Sequence, residues 1–182
     1  MSKQQMTVNL IDLQGALAKG YVPLDITTAR IIAANVIQNT TEAGVPDGNT
    51  AGPALGRVNG AVDKALRLTW AAAEVNEVQF APVPLPADLD PDAAVTVHLQ
   101  MAKDANANAF AVAVNAFFGV GDANCGGNTA NVAQALAEYA VTLAAADVPA
   151  QPSFLNVSLI PAAHAGDALY LYSAHLSYTR KV

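Results

Sequence analysis

The single cysteine of this chain, Cys125, lies in GVGDANCGGN (residues 119–128), among glycines, an aspartate and two asparagines. A cysteine nucleophile acts as its thiolate and needs a base or a positive charge beside it. The surrounding GVGDANCGGNTANVAQ supplies neither, and Asp122 disfavours the anion. Only His98, His164 or His175, brought close by folding, could activate it. The same loop carries the hard oxygen donors Asp122, Asn124 and Asn128, but calcium loops usually concentrate more than one carboxylate. It also lacks the lysine and following hydroxyl of a phosphate-cradling loop. The plainest account is a glycine-rich turn joining two strands.

Three other groups of residues could carry chemistry. Asp88, Asp90 and Asp92 in LPADLDPDA alternate in a way that could begin a metal site, yet Pro84, Pro86 and Pro91 make a stiff connection with turn-starting aspartates the simpler reading. His98 and His175 each fall on the polar face of a strand. They become metal ligands only if those strands are neighbours and a third donor converges. His164, in PAAHAGDA, reads as a turn residue. Trp70, Tyr170, Tyr172 and Tyr178 could form an aromatic platform for sugar rings, but all four alternate in phase with apolar residues, which favours core packing. No triad, carboxylate pair or oxyanion loop emerges. The reading therefore assigns no catalytic, cofactor-binding or metal residues and expects a protein that is not an enzyme.

The elements that position these residues show period-two alternation, which sends one set of side chains to a core and the other outward. Val95, Val97, Leu99 and Met101 face one way, and Thr96, His98 and Gln100 the other. Similar patterns occur in LRLTW, EVQF, AFAVAVNAFFG, AEYAVTLA, FLNVSLI and ALYLYSAHLSYT, the last with Tyr170, Tyr172, Leu176 and Tyr178 on one face. With TTARIIAANVIQN these make about eight antiparallel strands, separated by stretches rich in Gly, Pro, Asn and Asp. Short, regularly spaced strands predict an all-β, jelly-roll-like β-sandwich, with an immunoglobulin-like sandwich as the second choice. NVAQALAEYA allows a short helical turn before Tyr139, and LAAAD another before Pro149.

Residues 1–24 read as an N-terminal arm ahead of a sandwich domain spanning 25–182. Leu10, Leu13 and Leu17 stand at helical spacing, with Gly20 as a terminator, so the arm is expected to carry a short helix. Residues 40–60 read as one long loop.

Charged residues make up 13% of the chain and apolar ones 53%, against about a quarter charged in ordinary soluble domains. Such a surface repels its own copies little and suits an assembly. A net charge of −6 with nine Lys and Arg argues against a nucleic-acid partner. The first twenty residues contain no continuous apolar signal region, and no run of eighteen apolar residues occurs. The expectation is a protein made and used in a cytoplasm, with no membrane partner.

The segments LRLTWAAAEVNEVQFAPVPLPADLDPDAAVTVHLQMAK and FLNVSLIPAAHAGDALYLYSAHLSYTRKV resemble virion structural proteins of tailed bacteriophages, and more narrowly their jelly-roll capsid decoration or cement proteins. The likeness covers about residues 62–182 and consists of strand order and texture. It implies a non-enzymatic subunit on the capsid exterior that self-associates as a dimer or trimer and staples neighbouring major capsid proteins. Residues 1–24 and 40–60 would be the arm and loop that reach a neighbour. A sugar- or receptor-binding sandwich on a phage spike or tail is the alternative.

Overall fold

The computed structural model describes residues 18–38, 44–47, 52–58, 64–150 and 154–181. Thirteen strands occupy them: β1 (Lys19–Leu24), β2 (Arg30–Ala33), β3 (Val36–Ile37), β4 (Ala54–Arg57), β5 (Leu66–Trp70), β6 (Glu77–Gln79), β7 (Val83–Pro84), β8 (Val95–Lys103), β9 (Val112–Phe117), β10 (Gly127–Asn128), β11 (Ala137–Leu143), β12 (Phe154–Pro161) and β13 (Leu169–Thr179). They pair antiparallel into two sheets. One runs β11-β8-β13-β5-β4, with β1 also on β13; the other runs β10-β9-β12-β6-β2-β3, with β7 also on β12. The sheets enclose one core, to which the first contributes Leu68, Trp70, Val97, Leu99, Met101 and Leu171, and the second Val78, Val112, Val114, Leu155, Val157 and Leu159. This is the jelly-roll-like sandwich that the alternation predicts.

Several local expectations change. TTARIIAANVIQN is a hairpin, not one strand: Ala34 and Asn35, with φ of 51° and 61°, turn β2 back onto β3. Positive φ at both central residues matches the twist of a tight hairpin, and asparagine tolerates it better than most residues. The long loop over residues 40–60 contains β4, which adds an edge strand beside β5. No helical turn precedes Tyr139. The backbone N–H groups of Thr129 and Val132 donate to Val112 and Phe110, and that of Ala133 to the Tyr139 hydroxyl, so tertiary partners override alanine's helix propensity. The turn before Pro149 is present as a 3₁₀ turn over Ala145–Asp147.

The helix expected around Leu10, Leu13 and Leu17 lies outside the described residues. Residues 19–24, read as the end of that arm, instead form β1, which pairs with β13 from Lys19↔Thr179 to Leu24↔Ala174. Gly20 faces the core directly across from Tyr178, whose ring fills the space a Cβ would need. The ring is held in place because its hydroxyl donates to Asp88 Oδ1 at 3.0 Å.

One end of the sandwich is closed by buried polar groups. Lys103 continues the core phase of β8, and its ammonium lies 3.1 Å from Asp167 Oδ2. The Asp167 carboxylate also accepts from the backbone N–H of Ala107 at 2.8 Å and Asn108 at 2.9 Å. His164, expected at a solvent turn, is fully buried. Its Nδ1 meets the Asp167 carbonyl at 2.7 Å, its Nε2 meets the Glu74 carbonyl, and its ring stacks on Phe110. The cluster thereby ties three interstrand loops together.

Burial alone would raise the Asp167 carboxyl, but its two backbone donors and Lys103 outweigh that and hold it below its ordinary 3.8. A carboxyl that binds its proton less readily when folded stabilises the fold above its unfolded value, and that contribution disappears as pH falls through the folded value. Urea unfolding followed from neutral pH to about pH 2.5 is therefore expected to show an acid limb below pH 3.8 that Asp167→Asn flattens. Gly20→Ala, which forces the Tyr178 ring aside, is expected to destabilise the chain by about 1–3 kcal/mol in the same assay.

Candidate functional site

The outer face of the first sheet gathers the aromatic and hydrogen-bonding groups. Strict alternation would place Tyr170, Tyr172, Leu176 and Tyr178 together, but a register shift between Leu171 and Ser173 interrupts the pairing of β13 with β8. On one side of this bulge Leu169 and Leu171 point inward; on the other Ala174, Leu176 and Tyr178 do so. Tyr170 and Tyr172 consequently join His175 and Ser177 on the outer face. A β-bulge re-aims side chains in this way. Of the four aromatics read as core, Trp70 and Tyr178 are buried, and the two others are not.

Arg67 of β5 extends across the two outer tyrosines. Its guanidinium carbon lies 3.6 Å from the centre of the Tyr170 ring, and its Nη1 donates to the Tyr172 hydroxyl at 3.2 Å. That stacking occupies one face of Tyr170 and fixes the guanidinium. On β1, Tyr21 also faces outward and is 66% exposed. Its ring centre stands 5.8 Å from that of His175.

His98 and His175 are direct cross-strand partners on the adjacent strands β8 and β13. Their rings lie 4.6 Å apart and nearly parallel, at 2°. Glu138 reaches them from β11, with Oε1 3.0 Å from His98 Nδ1 and Oε2 accepting from Gln100 Nε2 at 3.0 Å. His98 Nε2 meets Ser177 Oγ at 2.8 Å. Burial and the neighbouring His98 hold His175 below its ordinary 6.5, so the imidazole is neutral at neutral pH. The condition set by the sequence for these histidines is met: their strands are neighbours, and Glu138 is the third donor.

The remaining candidates are structural. Asn124 Oδ1 accepts from the backbone N–H of Ala116 and Gly126, and its Nδ2 donates to Asn115, so it braces the Gly119–Gly126 loop. Gly126 lies so close to the Val114 carbonyl that no side chain fits there. Cys125 shares a cleft of about 220 Å³ with Phe118, Asp122, Asn124 and Asp147, which no histidine lines. Its Sγ contacts the Ala116 carbonyl oxygen at 3.2 Å. Burial, then Asp147 and Asp122, push its thiol up from 9.0. Asp88 accepts from Tyr178 and lies 3.4 Å from Arg180, while Asp90 accepts from the backbone of Asp92.

Tyr21, Arg67, Gln100 and Glu138 complete the face but were not singled out in the sequence. Glu138 lies out of phase with Tyr139, Val141 and Leu143, which marks it only as outward.

No protein-family model and no curated protein matches the chain. Solved structures do match in fold. A cleaved adhesin domain of Lys-gingipain from Porphyromonas gingivalis aligns at a TM-score of 0.52 and 12% identity, over 86% of this chain and 97% of that one. A xylan-binding module aligns at 0.51 and 10%, over 90% and 99%. The chain shares their β-sandwich fold.

The raised thiol of Cys125 predicts slow alkylation by iodoacetamide at neutral pH, with a rate that climbs with pH and has not levelled off at pH 9.0. Mass spectrometry of timed samples measures this, and Asp147→Asn is expected to speed the reaction.

Proposed function

We propose that this chain is a carbohydrate-binding β-sandwich module and that its ligand lies across the outer face of the first sheet. The observation that carries the reading is the set of side chains on that face, where the exposed Tyr21 flanks the stacked His98 and His175. Arg67 with Tyr172 stands to one side and Gln100 with Glu138 to the other.

A saccharide presents apolar C–H faces and hydroxyl edges. Its faces want aromatic surface that costs little entropy to hold, and its hydroxyls want fixed, planar donors and acceptors. Tyr21 and Tyr172 offer the first. Arg67, Gln100 and Glu138 offer the second, each already held by a neighbour. The low charge of the chain also suits a neutral, polyhydroxylated ligand better than an ionic one. The shared fold with a xylan-binding module supports the reading and makes xylan the first polysaccharide to try.

The role is one of binding rather than catalysis. Of the candidate nucleophiles, Cys125 sits in an acidic cleft separate from this face, with its thiol disfavoured as an anion.

A glycan array followed by calorimetry on soluble xylan oligosaccharides tests the proposal. Binding is expected, and Tyr21→Ala is expected to weaken it about tenfold, the order carried by one aromatic contact. Arg67→Ala should act similarly by releasing Tyr172. An array without hits, or affinity indifferent to both substitutions, overturns the reading.

A further inference from the structure

We infer that His98, His175 and Glu138 form a site for a divalent transition-metal ion, with zinc as the specific assignment. The inference does not depend on the saccharide reading, since it rests on the three side chains alone.

Their ligand atoms, one from each residue, all lie within 4.8 Å of one another. In a tetrahedral site with Zn–N and Zn–O bonds of about 2.0–2.2 Å, neighbouring ligand atoms stand about 3.3–3.5 Å apart. The 3.0 Å between His98 Nδ1 and Glu138 Oε1 is already close to that separation. Rotation of the His175 ring, which lies on the outer face and is only partly covered, supplies the rest. The three donors come from three adjacent strands, so the sheet's own register holds the site together.

Two imidazoles and a carboxylate select zinc, copper or nickel over calcium or magnesium, which prefer sites made wholly of oxygen. The groups behind the donors are those a metal site requires. Gln100 donates to Glu138 Oε2 and orients the carboxylate. Ser177 meets His98 Nε2, so when the metal takes Nδ1 the imidazole proton moves to Nε2 and is donated to the Ser177 hydroxyl oxygen. The ring keeps one proton throughout, and Glu138 offsets one of the ion's two positive charges. Three protein ligands leave the fourth tetrahedral position open, the arrangement of a zinc ion that can take water or a further oxygen ligand. Glu138 is 47% and His98 18% exposed in the side chain, so an ion reaches the donors without opening the fold.

The test is calorimetric titration of ZnCl₂ into the full chain after removal of metal with a chelator. One ion should bind per chain, and MgCl₂ should give no heat. His98→Ala, His175→Ala and Glu138→Gln should each abolish the binding, and Gln100→Ala should weaken it about 10- to 100-fold. Cys125→Ser should leave the titration unchanged, which removes the thiol as an alternative zinc ligand. Because a variant could lose binding by unfolding, imidazole nitrogen NMR of the unaltered chain provides a second readout: zinc should move the Nδ1 resonance of His98 and perturb His175. No zinc binding overturns the assignment. So does binding that survives either histidine substitution, or a titration that leaves both imidazole spectra unmoved.

Discussion

The pairing of β13 with β8 is the constraint on which the rest depends. These long strands form the centre of the first sheet, and their register fixes which side chains meet on both faces. Because side chains alternate with a period of two, a one-residue slip would exchange core and surface along the whole strand. The bulge between Leu171 and Ser173 makes that exchange once and within the native fold. It lets β13 keep leucines inward at its start and Ala174, Leu176 and Tyr178 inward at its end, while Tyr170 and Tyr172 are delivered to the same outer face as His175. The bulge also separates the part of β13 that pairs with β5 from the part that pairs with β1.

The two faces of this sheet consequently solve different problems. Inside, Trp70 is fully buried, and its indole N–H donates to the Asn76 carbonyl, so even the largest side chain leaves no polar group unmet. Outside, the polar side chains are held by one another rather than left free to solvent: Arg67 by Tyr170 and Tyr172, Glu138 by His98 and Gln100. A face whose groups are already ordered loses less entropy when something binds to it.

The sandwich and its main strands were legible because the alternation in VTVHLQM, AEYAVTL and FLNVSLI is strong and local. The site was only partly so. His98 and His175 were recognisable as outward-facing, but their adjacency is a matter of strand order, which period-two patterns do not encode. Tyr170 and Tyr172 were misplaced because the bulge has no glycine or proline to mark it. β1 was absorbed into the arm, since the leucines before it stand at helical spacing and KGYVPL carries only a brief alternation. β4 was missed within a loop rich in glycine and proline. Lys103 held a signal that could have been read: it continues the inward phase of Val95, Val97, Leu99 and Met101, and a charge in that phase requires a buried partner. Asp167 is that partner, in a loop where nothing local points to it.

The pairing of β1 with β13 has a consequence for how the chain acquires its structure. Lys19 and Thr179, whose side chains meet at 3.2 Å, are 160 positions apart. During synthesis β1 emerges long before its partner β13 exists, and β8 waits similarly for β13. The second sheet has the same difficulty less acutely, since β9 and β12 are nearer in sequence. Closing so long a loop is entropically slow, and topologies dominated by distant pairings fold in milliseconds to seconds rather than microseconds. Until β13 arrives, the unpaired edges of β1 and β8 offer backbone donors and acceptors to any other strand nearby. Tyr21 and Pro23 on the outward side of β1, with proline lacking an N–H to donate, make that early strand a poor template for such pairing.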